Sequence, residues 1–252
     1  MIVDAGIGAA ELLRRPVSGR VVSVHRKAAY LRLDGSLVAL VAPDADPGPI
    51  HVRCAALPPC RVGEHVTGDG PRLAGERWAL RGPGAVWRGT VPGTLVDSAL
   101  ARKALISGEI VEAAARTETL DDLAATVGGR GPGLTPAGDD VLAGAVLVAW
   151  AAGADEARLV ALTGAVRTTE VSRAFLAWAA RGQSVAPAHD WLHAVAAGDR
   201  AGAGRALARL HRLGADSGRH LGAGMALGFA QLPRVVSQTA RAATGPGLRQ
   251  RV

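Results

Sequence analysis

Residues 128–150 read GGRGPGLTPAGDDVLAGAVLVAW, and the division of the chain is read outward from this stretch. It opens as a loop of glycines and prolines, passes two adjacent aspartates, Asp139 and Asp140, and becomes an aliphatic run with hardly a polar atom. Such a change marks a helix entered through a glycine loop. The first turn of a helix has unsatisfied backbone N–H groups and a partial positive charge, so a loop without side chains can bring an anion close to it. Thr135 is the expected N-cap, with Pro136 at the first helical position and both aspartates at the end of the first turn. A nucleotide loop would carry Gly-Lys-Ser/Thr where the aspartates stand, and no strand-helix-strand unit surrounds the glycines as a dinucleotide fingerprint requires. The dipole favours acidic residues in any first turn. A simple helix start, however, needs one cap and not GPGLTPAGDD.

Before this stretch, LVDSALARKALISGEIVEAAART has helical periodicity from Leu95. After it, helices are expected at 139–152, 156–180, 189–197, 202–213 and 217–230. Toward the N-terminus the texture differs. SGRVVSVHRKAAYLRLDGSLVALVAP alternates β-branched and polar residues around Asp34-Gly35, a hairpin signal, and HVRCAAL and ERWAL read as short strands between turns. The expected fold class is therefore α+β, a small β-rich N-terminal domain (1–94) followed by a larger all-helical domain (95–235), with a loose tail at 236–252. AGDDVLAGAVL (137–147) can be laid on SGRHLGAGMAL (217–227), with Gly138 over Gly218, Gly144 over Gly224 and Leu147 over Leu227. As a repeat, the echo implies two small-residue helices packed face to face.

The 252 residues are 48% hydrophobic but only 3% aromatic, so the core is expected to be Leu, Val and Ala in closely packed elements. The net charge of +7 comes from scattered arginines, with Lys27 and Lys103 the only lysines. No basic run is interleaved with aromatics, which argues against nucleic acid and suits small anionic partners. Cys54 and Cys60 match neither a zinc knuckle nor a redox pair. Free thiols, an N-terminus without signal-peptide order and an apolar run (141–153) shorter than the ~20 residues of a membrane span point to a soluble cytoplasmic protein. His189 and His193 stand at helical spacing without the rest of a zinc motif. Trp78, Trp87, Trp150, Trp178 and Trp191 read as core or interface anchors.

GRGPGLTPAGDDVLAGAVLVAW resembles the Gly-Pro-Gly-Leu-Thr-Pro-Ser-Gly-Asp-Asp signature of the AllH-like family of oxamate carbamoyltransferase subunits. RTTEVSRAFLAWAARGQ (167–183), WLHAVAAGD (191–199) and LGADSGRHLGAGMALG (213–228) agree in order, so the likeness covers roughly 95–230. Ala137 stands where the family usually has Ser. The resemblance implies transfer of a carbamoyl group between oxalurate or oxamate and phosphate in allantoin catabolism, with other transferase subunits as partners. It implies that Arg130, Gly131, Gly133, Leu134, Thr135 and Gly138 bind substrate or phosphate, together with Thr168, Thr169, Ser172, Ser217 and Gly218. Asp139, Asp140 and His220 become the candidate catalytic residues, and Arg167, Arg173 and Arg219 further anion partners. On a presumed helix Thr168 and Ser172 would share one face. Two alternatives remain at this stage: a Mg²⁺-dependent hydrolase in which Asp139 and Asp140 hold the metal, aided by Glu170 and Asp216, and a non-catalytic assembly subunit. No other cofactor is implied.

Overall fold

The structure, a computed structural model, describes residues 1–243 apart from 71, 83, 84, 94 and 96–98, with only the backbone course described over 231–243. A β-rich N-terminal half precedes a helical C-terminal region, the expected α+β fold. Two compact units are formed, one of residues 1–90 with 183–189 and the other of residues 91–182 with 190–252.

The first unit is a sheet whose described strands run β1 (Ile2–Gly6), β2 (Val17–Val24), β3 (Ala28–Leu33), β4 (Ser36–Val41), β5 (His51–Cys54), β6 (His65–Asp69), β7 (Arg72–Ala74), β8 (Ala79–Arg81) and β9 (Val86–Trp87), with helix α1 (Ile7–Leu12) after β1. Their order in the sheet is β8-β7-β6-β2-β3-β4-β5-β1-β9. The pairs β4–β5 and β1–β9 are parallel, the others antiparallel. The Asp34-Gly35 hairpin forms as expected: Leu33 pairs with Ser36, and both turn residues have positive φ, 46° and 79°. The Asp34 side chain accepts the Ser18 N–H (3.1 Å), tying the turn to β2. Leu37–Val41 is buried without alternation, as befits a strand covered on both faces. Leu31, Leu33, Leu40, Val52, Val66 and Leu73 form the core with Ala9, Ala10 and Leu13 of α1 and its end. Within this unit His189 Nδ1 donates to Thr90 O (2.8 Å) and Nε2 accepts the Ser184 N–H (3.0 Å), so a buried histidine is satisfied by backbone on both ring nitrogens.

In the second unit the continuous helix expected from Leu95 is broken. A 3-10 turn spans Ala101–Ala104, and α2 (Glu109–Ala115) starts only after Ser107-Gly108, while 94 and 96–98 lie outside the described residues. A helix missed in the sequence, α3 (Leu120–Val127), starts at Thr119, whose side chain accepts the Asp122 N–H. Next come α4 (Ala137–Ala151), α5 (Glu156–Gly164), α6 (Glu170–Ala179), α7 (Ala186–Ala196), α8 (Arg200–Leu210) and α9 (Ser217–Ala243). The single helix expected over 156–180 is thus two, because Thr169 N-caps α6 by accepting the Ser172 N–H (3.1 Å). Thr168 and Thr169 precede the helix, and Thr168 does not share a helical face with Ser172. Of the tail expected at 236–252, residues 244–252 are outside the described set.

From Val141 to Ala149 every residue of α4 is buried, which explains an apolar run too short for a membrane: a helix apolar all round is a core helix. Among the described residues no helix is long and apolar enough to cross a membrane. The partner of α4 is α9, and the sequence echo takes physical form where they cross. A Cβ on Gly144 would lie 2.2 Å from Leu221 O, and one on Gly224 would lie 1.9 Å from Val141 O. Those two contacts exchange under the alignment of 137–147 with 217–227. Likewise a Cβ on Gly138 would lie 1.9 Å from Val127 O and one on Gly218 1.7 Å from Leu210 O, each the last residue of the preceding helix. The hairpins α3–α4 and α8–α9 are therefore built on one plan, helix against helix through bare backbone.

Candidate functional site

The loop from Gly128 to Pro136 turns back on itself because Gly129, Gly131 and Gly133 take φ values of 72°, 116° and 92°, a region closed to most side chains. A Cβ on Gly131 would meet Ala137 N at 2.8 Å. The helix start is capped differently from the sequence expectation. Pro136 is the N-cap residue, extended at φ −51° and ψ 138°, and offers no side-chain cap bond. Thr135 is one residue too early to cap, and its Oγ1 instead lies 2.7 Å from Ser217 Oγ at the start of α9.

The donors of the first turn are largely consumed. Gly138 N–H goes to Arg130 O (2.9 Å), and the Asp139 and Asp140 N–H groups go to Pro136 O (2.9 and 3.2 Å). The available donors lie in the loop: the N–H groups of Gly131, Gly133, Leu134 and Thr135 make no backbone hydrogen bond among the described residues. Gly131–Leu134, with Arg130 before it, is also the exposed part of the loop. An anion is therefore served by loop amides more than by the helix end itself.

The two aspartates have different surroundings. Asp139 is only 2% exposed. Its Oδ1 accepts the Gly129 N–H (2.7 Å) and its Oδ2 the Thr168 hydroxyl, so both oxygens are occupied by protein donors. Thr169 Oγ1 donates to Leu134 O. The two threonine bonds tie the loop and the start of α4 to the connection between α5 and α6, against which Gly129 also packs through Arg167 O. Asp139→Asn keeps an acceptor for Gly129 but points an amide at the Thr168 hydroxyl. We expect a loss of ~1–3 kcal/mol in chemical denaturation, from disturbing a buried bond to a charged group.

Asp140 lacks such support. Its Oδ2 is buried with no hydrogen-bond partner. Burial pushes its carboxyl up to about 8, opposed by the Ser217 hydroxyl and assisted by the neighbouring Asp139 charge. Near neutral pH Asp140 is thus largely a protonated acid.

Hydrogen bonds join Thr135 to Ser217 and, separately, Asp139 to Gly129 and Thr168. His220 Nδ1 donates to Asp216 O (3.1 Å) within its own helix start. Ser172 is 2% exposed and its hydroxyl has no partner. The exposed Arg130 donates to Thr126 O (3.1 Å), and Arg173 to Thr168 O (3.2 Å). Arg167 and Arg219 are likewise exposed. Gly218 serves as a contact for Leu210 O rather than as an open loop position. No group of three or more His, Cys, Asp or Glu placed to hold a metal occurs among the described residues.

Residues 127–229 match the family model described as oxamate carbamoyltransferase subunit AllH. The chain is AllH-like over this span. The match starts at the last residue of α3 and ends at Phe229 in α9, so it encloses the loop, both aspartates, the Thr168-Thr169 connection and the α9 start. It is narrower than the 95–230 read from the sequence, and the β-rich unit lies outside it apart from residues 183–189. No solved structure matches the chain. Within the AllH-like span, the body of α4 from Val141 to Ala149 is apolar and buried.

Proposed function

We propose that this chain is a subunit of an oxamate carbamoyltransferase-like enzyme, in which the 128–140 loop binds a small carboxylate substrate together with phosphate. The AllH-like match over residues 127–229 carries this reading. In the direction that forms carbamoyl phosphate, a phosphate oxygen attacks the carbamoyl carbon of oxalurate, the C–N bond breaks, and the departing oxamate nitrogen takes up a proton. Such a reaction requires two anions to be oriented and the charge developing on the carbamoyl oxygen to be stabilised. The N–H groups of Gly131, Gly133, Leu134 and Thr135 and the guanidiniums of Arg130, Arg167, Arg173 and Arg219 supply donors and positive charge. Asp140, protonated at neutral pH, is the acid for the departing nitrogen. Asp139 positions the loop and makes no contact with the reacting atoms.

The occupied oxygens of Asp139 weigh against the Mg²⁺-hydrolase alternative, since that carboxylate would have to give up Gly129 and Thr168 to bind a cation. Calorimetry with phosphate and with oxamate, on the chain alone and with its partner subunits, tests the proposal. Binding of both, lost together in Gly133→Ala, is expected. Absence of both from the complete assembly would sink it.

A further inference from the structure

We propose that Thr169 is a positioning residue for the 128–140 loop, its hydroxyl fixing the Leu134–Thr135 peptide so that the Thr135 N–H stands ready for an anion. The inference deepens the reading above and rests on it for the identity of the anion. The hydrogen bonds that fix the peptide do not depend on that reading.

No peptide bond among the described residues is cis. A trans peptide is planar, with C=O and N–H on opposite sides, so a partner that takes the carbonyl also aims the next N–H. Two peptides of the loop are held in this way. Arg130 O accepts the Gly138 N–H (2.9 Å), which turns the Gly131 N–H away from the start of α4. Leu134 O accepts the Thr169 hydroxyl, which turns the Thr135 N–H away from the start of α6. Neither N–H makes a backbone hydrogen bond among the described residues. The carbonyls of Pro132 and Gly133 accept no backbone N–H there, so the Gly133 and Leu134 donors have no such support. The Thr135 side chain is held as well, with its Oγ1 2.7 Å from Ser217 Oγ.

The frame from which Thr169 reaches is itself anchored. Thr168 donates to Asp139 Oδ2 in the first turn of α4, and Thr169 accepts the Ser172 N–H (3.1 Å) as the N-cap of α6. A hydroxyl has one proton to give. That of Thr169 goes to Leu134 O, so none is left for the substrate contact that the family resemblance implies. Thr169 acts through the loop backbone instead. Fixing a donor before the anion arrives removes an ordering cost from binding.

The test has two arms and three variants. Thr169→Val removes both bonds of the hydroxyl, and Thr169→Ser keeps both. Asp199→Ala removes a cap of the same kind from α8, where Asp199 accepts the Gly202 N–H (2.9 Å). In the first arm inorganic phosphate is titrated calorimetrically into the full-length chain assembled with its partner subunits. Thr169→Val should weaken phosphate binding by about tenfold, as expected for one hydrogen bond to a charged group. Thr169→Ser should restore it, and Asp199→Ala should leave it unchanged. In turnover, Thr169→Val should raise KM for phosphate with little change in kcat. Unchanged affinity in Thr169→Val, or an equal loss in Asp199→Ala, overturns the proposal.

The second arm reads the peptide itself. In the full-length chain, the NMR order parameter of the Thr135 amide should fall in Thr169→Val and hold in Thr169→Ser and Asp199→Ala. An undiminished order parameter in Thr169→Val overturns the positioning role whatever the loop binds. A wild-type assembly that binds no phosphate, with the order parameter still falling in Thr169→Val, would fault the functional reading and leave the positioning role standing.

Discussion

Asp140→Asn should unfold at a higher temperature than the wild type at pH 8 while turnover in the assembled enzyme stops. The sign follows from linkage. Unfolded, the Asp140 carboxyl titrates near its ordinary 3.8; folded, it titrates at about 8. Between those values the folded chain holds a proton that the unfolded chain releases, so the contribution of this group to stability falls as pH rises from about 4 to about 8 and is level above. A shift of this kind corresponds to several kcal/mol at the alkaline end. Asparagine has nearly the same shape and no charge to bury. Wild type and variant should therefore have similar midpoints near pH 4 and diverge up to pH 8. Parallel curves would mean that Asp140 is ionised throughout and acts as a simple first-turn carboxylate. Loss of activity with a gain of stability is what a group strained for function produces.

Gly224→Ala should be among the most damaging single methyl additions in the helical unit. The new Cβ would lie 1.9 Å from Val141 O and 2.6 Å from Val141 C, both backbone atoms at the start of the run of α4 that is buried from Val141 to Ala149, with no flexible side-chain end to give way. Overpacking of cores typically costs 1–3 kcal/mol, and here backbone rather than a side chain must move. A loss of about 3 kcal/mol or more is expected, seen as a shifted urea midpoint of the helical signal. Gly204→Ala on α8, where a Cβ meets nothing within 4 Å, is the control and should be neutral or slightly stabilising, since alanine favours helix over glycine. Equal midpoints for the two variants would show that α4 and α9 do not cross at Gly224.

How much of this was legible in the sequence depends on the range of the interactions. The hairpin at Asp34-Gly35 is local chemistry, readable because two residues determine the turn. So is the burial of 141–149, whose aliphatic run has no polar face to present. The break between α5 and α6 was also local and was missed: Thr169-Glu170 is an N-cap followed by a first-turn acid, hidden within an apolar periodicity that continues past it.

The distinction between Asp139 and Asp140 was not legible at all. Adjacent residues of one type differ only through what the fold brings to them, a Gly129 N–H and a Thr168 hydroxyl for Asp139 and a buried oxygen without a partner for Asp140. The misplaced Thr135 cap has the same cause, since its hydroxyl is claimed by a residue far along the chain. The echo between 137–147 and 217–227 was visible as letters; that its glycines are the mutual contact points required coordinates.

The glycine crossing of α4 and α9 also sets a lever. Seven residues separate Gly144 from Ala137, and Gly224 from Ser217, an arm of roughly 10 Å on each helix. A change of about 5° in the angle between such arms displaces one tip from the other by roughly 1 Å, enough to part the 2.7 Å contact of Thr135 with Ser217. Residues bearing on that angle, such as Ala145 and Val148 where they meet Gly228, therefore govern the alignment of groups more than two helical turns away. The fulcrum lies in the apolar interior, out of reach of any substrate, yet it sets the spacing at which the two helix starts meet.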